Sequence, residues 1–210
     1  MRTSTAAFTL LSLLGVSSAA PTPVELAPRC GTTVFPTFLQ QLTESSPSTV
    51  QTNTLSTTGD FHVSQTVTNG LVSNRIYQIV AFEGIPSTAY GCQLNVVFPP
   101  AYPITSTGNP VLNVTTLYSG APGSIVYPND WSWAKFYPPT SPPEGQGLFG
   151  TVTFAPGQST VINSETCGQN LAFQFEVASW VGTTSGVEFN EYVNKLNGAG
   201  LAGVYLTYGC

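Results

Sequence analysis

Charge is what this chain has least of. Asp, Glu, Lys and Arg make up 7% of its 210 residues, against about 25% in an average soluble domain. Lys and Arg number five, and the formal net charge is −5. A chain with so few cations and no basic patch is a poor fit for nucleic acid or for an anionic membrane surface. Histidine occurs once, as His62. That scarcity excludes a His-rich metal site, and no metal or other cofactor is expected. A Ser–His–Asp triad would have to use His62 with Asp60 or Asp130, and no Gly-x-Ser-x-Gly elbow accompanies it. Long apolar runs are missing too. The stretch from Ala6 to Val16 falls short of the 18 or so residues that a membrane span needs. No segment sustains an apolar period of 3.6, so helices are not expected to build the fold.

What is present begins with a leader. Arg2 precedes the apolar stretch, and Ser17, Ser18 and Ala19 are the small residues of a signal-peptidase site. Residues 1–19 read as a signal peptide, cleaved before Ala20. Residues 20–29 carry three prolines and read as an extended linker or pro-segment. Residues 30–210 form one expected domain. It keeps all four cysteines, Cys30, Cys92, Cys167 and Cys210. An even count in an exported chain reads as two disulfides, for which three connectivities exist. The preferred pairing is Cys92–Cys167 with Cys30–Cys210, the second clamping the two ends of the domain together.

From Cys30 onward the recurring signal is alternation. Leu171, Phe173, Phe175 and Val177 fall on one face and Ala172, Gln174 and Glu176 on the other, the pattern of a half-buried strand. Cys92 to Phe98 and Leu112 to Tyr118 repeat it. Ile76 to Phe82, Leu148 to Phe154, Val187 to Tyr192 and Val204 to Tyr208 add strands, with weaker ones at Phe61 to Val67 and Thr160 to Asn163. About seven to ten short strands between Pro- and Gly-rich turns predict an all-β fold, a single jelly-roll-like β-sandwich of mostly antiparallel strands. Thr37 to Leu42 and Glu188 to Leu196 are the candidates for a short helix. Residues 43–58 are mostly Ser and Thr and read as a mobile or O-glycosylated loop.

Three groups of residues are candidates for function. Tyr127, Trp131, Trp133, Phe136 and Tyr137 crowd a loop otherwise rich in Pro and Gly. Exposed, Trp131, Trp133 and Tyr137 could stack on sugar rings while Asp130 bonds the hydroxyls; buried, they would be a satellite core. Asn113-Val114-Thr115 is the N-glycosylation sequon, and Asn113 lies on the polar face of its expected strand, pointing to solvent. Glycoside hydrolysis needs two carboxylates roughly 5 to 9 Å apart. Glu176 with Glu188 or Glu191 is the pair available, with nothing in the sequence to reinforce it.

The order of several motifs resembles a known family. Tyr90-Gly91-Cys92-Gln93-Leu94 leads to Phe98-Pro99 and Tyr102-Pro103-Ile104; Leu148-Phe149-Gly150-Thr151 follows, then Cys167, Phe173-Gln174-Phe175-Glu176 and the end Tyr205-Leu206-Thr207-Tyr208-Gly209-Cys210. This resembles the fungal ubiquitin-3-binding protein, But-type, C-terminal domain family over most of residues 30–210. The resemblance implies no catalytic residues. Its name implies a ubiquitin-pathway partner, which a leader and disulfides argue against, since they place the domain outside the cell. The expectation is a secreted, non-enzymatic fungal protein at the cell surface or wall, with wall polysaccharide or another glycan as candidate partner and no membrane or nucleic-acid partner. A jelly-roll glycosidase and a purely structural wall protein are the alternatives.

Overall fold

A computed structural model describes residues 31–117, 131–138, 146–191 and 201–210. The leader, the linker, Cys30 and Asp130 lie outside the described residues. Among the described residues the chain runs β1 (Thr32–Val34), β2 (Phe38–Thr43), β3 (Asp60–Thr68), β4 (Leu71–Phe82), β5 (Cys92–Val97), β6 (Thr105–Thr107), β7 (Leu112–Leu117), α1 (Trp133–Phe136), β8 (Gln146–Val152), β9 (Ser159–Glu165), β10 (Leu171–Val177), β11 (Ser185–Asn190) and β12 (Gly203–Tyr208). The strands form a β-sandwich, as the alternation predicts. One sheet has the order β1-β12-β5-β9, and the other runs β6-β11-β3-β4-β10-β7-β8 with β2 also paired to β4. Every strand pair is antiparallel.

The core follows from the period of two. Phe173, Phe175 and Val177 of β10 turn inward, with Leu94 and Val96 of β5 and Val204 and Leu206 of β12 facing them from the smaller sheet. Phe61 and Phe189 stack at 4.5 Å between centroids, and Phe154 and Phe98 meet Phe189 edge-on. The Cys92–Cys167 disulfide is formed. It ties the start of β5 to the connection between β9 and β10. Cys210 is disulfide-bonded as well, while Cys30, its expected partner, lies outside the described residues.

One local expectation is overturned. Phe38–Thr43 is a strand and not a helix, because it pairs with β4 along Phe38↔Ala81 to Thr43↔Ile76 and buries residues on both faces. The Ser/Thr-rich segment after it is pinned down. The Asn53 Oδ1 accepts from the Leu39 and Leu55 amides at 3.0 Å each, and the Thr54 hydroxyl donates to the Asp60 carbonyl at 3.0 Å. The Glu188–Leu196 helix candidate begins as β11, and its remainder past residue 191 is outside the described residues.

The outer face of the large sheet is where polar residues were expected to meet water. Half of it does not. The segment 131–138 lies across β2, β4 and β10 and closes a second apolar cluster of Leu42, Tyr77, Ile79, Ala81, Trp131, Trp133, Phe136 and Ala172. The other half, over β3, β11 and β6, stays open.

Candidate functional site

The covered half takes in most of the candidate residues. Trp131 is 3% exposed and Trp133 7%. They are core, not an open stacking surface. Phe38 meets Trp131 edge-on at 5.7 Å, and Trp133 packs on Tyr77 at 5.0 Å and on Tyr137 at 4.7 Å. The Gln40 amide donates to the Trp131 carbonyl at 3.0 Å, and the Ala134 amide to the Pro47 carbonyl at 2.8 Å. The Arg75 guanidinium lies 4.9 Å from the Trp133 ring centroid while bonding Glu44 at 2.7 Å. That bond holds the Glu44 carboxyl below its usual range. Aromatics this large bury whenever a polar-faced sheet offers them an apolar seat.

Beneath this strap sits Glu176. Burial pushes its carboxyl up, against hydrogen bonds from Tyr77, Asn113 and Gln174 and the charge of Arg75. The Gln174 amide also donates to the Tyr137 hydroxyl at 2.6 Å, and burial pushes the Tyr77 and Tyr137 hydroxyls up as well. Asn113 is opposite Glu176 in the β7–β10 ladder and is 8% exposed. It occupies the polar face, as expected, but that face is roofed, so its side chain does not reach solvent.

Glu176 has neither of its expected partners. Glu188 lies on β11, three strand intervals away in the order β11-β3-β4-β10, on the order of 14 Å at about 4.8 Å per strand. Glu191 is fully buried at the far end of β11, where it accepts from the Val204 amide at 2.9 Å. Among the described residues, neither Glu188 nor Glu191 forms a carboxylate pair with Glu176.

The open half holds a groove of about 180 Å³. Its walls come from register. Gly186 of β11 faces Ser64 of β3 on one side and Thr107 of β6 on the other. Glu188 faces His62 and Thr105 in the same way. The middle position of the first row has no side chain, so a trough opens between the flanking hydroxyls. A Cβ at Gly186 would come within 3.0 Å of the Ser64 Cβ and 3.1 Å of the Val63 carbonyl. Thr66 and Thr184 also line the trough. Among the described residues its polar walls are hydroxyls, amide, imidazole and carboxylate, with no Lys or Arg.

The loop between β10 and β11 frames the groove. The Gln65 amide donates to the Val181 and Thr183 carbonyls at 2.6 and 3.1 Å, and the Thr184 hydroxyl accepts from the Val67 amide at 2.9 Å. This pinned loop carries Trp180, 62% exposed. Asp60 follows His62 on the same face of β3. Burial first, and the Glu188 charge second, push its carboxyl up, while His62 and Gln41 act the other way. No hydrogen bond joins His62 to Ser64 or to Asp60 among the described residues, so the strip Asp60-His62-Ser64 is not assembled as a triad.

Sequence reasoning missed the trough. The signal was there in Gly186 within an otherwise alternating strand, which marks close backbone approach, but its two neighbours come from distant strands. Comparison of the chain with family models gives no match, and comparison with curated proteins gives none.

Proposed function

We propose that this is a secreted, non-enzymatic protein of the fungal cell surface or wall, and that it binds carbohydrate in the groove over β3, β11 and β6. The observation that carries this reading is the trough itself: a glycine floor between walls of hydroxyls, closed at one end by Glu188 and His62, and framed by a pinned loop that presents an exposed indole. Sugar recognition uses such parts, with short polar side chains bonding ring hydroxyls and an aromatic face stacking on the ring. The Cys92–Cys167 disulfide fits an extracellular setting.

Isothermal titration with wall-type oligosaccharides tests the reading. Binding is expected, weakened at least tenfold by Trp180→Ala and by Ser64→Leu, which fills the trough. Both side chains lie toward solvent, so melting temperatures should stay within a few degrees. A chain that binds no oligosaccharide, or variants that bind as the parent does, would remove the groove from consideration.

A further inference from the structure

The groove has a sign. Glu188 stands in its wall between Thr105 and His62, and Asp60 comes next on the same face of β3. Asp60 feels the Glu188 charge from beyond the groove wall, where its carboxylate accepts from the Gln41 amide at 3.1 Å. From β6 the facing groups are Thr105 and Thr107, and from the framing loop Thr184; none of them carries charge. The described cations are elsewhere: Arg75 is bonded to Glu44 under the strap, and Lys135 is on α1. A polyhydroxy ligand that brings a positive charge would bond the hydroxyl walls and also pair with the Glu188 carboxylate. A neutral sugar gains only the first effect, and an acidic sugar meets repulsion.

Resting on the carbohydrate reading above, we infer that the groove selects a sugar bearing a protonated amine, an amino sugar or its oligomer, with Glu188 as charge partner and Ser64, Thr66, Thr105 and Thr107 as hydroxyl partners. Acetylating the amine keeps the ring and removes the charge, so the distinction is sharp.

The test is titration of the secreted chain with three oligomer sets of equal length: glucosamine, N-acetylglucosamine and glucose. The expected result is glucosamine binding at least tenfold tighter than the other two, with the gap narrowing as salt is raised. Glu188→Gln is isosteric and exposed, so it should fold normally. It should abolish the preference, so that glucosamine and glucose oligomers bind with similar affinity. Equal or tighter binding of the acetylated or neutral oligomers by the parent chain would overturn the inference while leaving carbohydrate binding intact. So would a Glu188→Gln chain that kept the preference. Failure of all three oligomers to bind would overturn the carbohydrate reading and this inference together.

Discussion

Trp133 shows how much one buried side chain carries. It packs on Tyr77 and Tyr137, takes the Arg75 cation over its face, and seats the strap on the sheet. Replacing it leaves a cavity that a four-residue helix has little means to fill. Trp133→Ala should cost about 3 to 5 kcal/mol, read as a shift in the denaturant midpoint with unchanged slope. A loss under 1 kcal/mol would mean that the strap does not depend on it. Asn113 makes a different prediction at the same scale. Its amide is bonded to Glu176 beneath the roof, and a glycan there would prevent the strap from closing. The natively folded chain should therefore carry no N-glycan at Asn113. Intact mass before and after glycosidase digestion checks this; a sugar-sized loss mapped to residue 113 would show that the outer face opens.

At the level of elements, strands that alternate cleanly were legible. Leu171–Val177 and Cys92–Val97 lie where period two puts them. The element at Phe38–Thr43 was not, because it is covered on both faces and lost its alternation; six residues with buried positions on either side read equally well as helix. The helix Trp133–Phe136 was hidden for another reason. It is too short to show periodicity and exists because its aromatics have a seat, a tertiary fact. The aromatic cluster was visible in the sequence, and its burial was one of two readings that the composition left open. The Cys92–Cys167 link belonged to the preferred one of three pairings that four cysteines allow, and spacing alone did not decide among them. It closes a loop of 75 residues, for which chain entropy gives about 4 kcal/mol. The double variant Cys92→Ala, Cys167→Ala should lose roughly that much in chemical denaturation, and an unchanged midpoint would mean that the sheets hold their alignment without the bridge.

At the scale of the whole molecule, the buried carboxylates predict an unusual response to acid. Burial holds Asp60, Glu165 and Glu176 above the ordinary carboxylate range. Each binds its proton more tightly folded than unfolded, so each contributes stability that is fully present below the unfolded value, about 4, and lost as pH rises through the folded value. Glu44 is shifted down by Arg75, so its contribution is present above about 4 and disappears only in stronger acid. Among the described carboxylates, the three raised groups dominate as pH falls from neutral toward about 4. The melting temperature should rise over that interval as pH falls, and Glu176→Gln should flatten part of the rise. A melting temperature that falls steadily from pH 7 to 5 would contradict the assignment of these carboxylates to the interior.

The distribution of indoles makes the protein its own spectroscopic probe. Trp131 and Trp133 are sealed between the strap and the sheet, and Trp180 stands in solvent on the loop that leads to Thr184 of the groove wall. Near-ultraviolet excitation should give a composite emission, with a blue component from the sealed pair and a red one from Trp180. Only the red component is open to a water-borne quencher such as iodide. A ligand seated in the trough should shield Trp180 and lower its quenching constant while the blue component stays fixed. Unfolding should shift the blue component and expose it to iodide. Occupancy of the groove and integrity of the fold can thus be followed separately in one unlabelled sample.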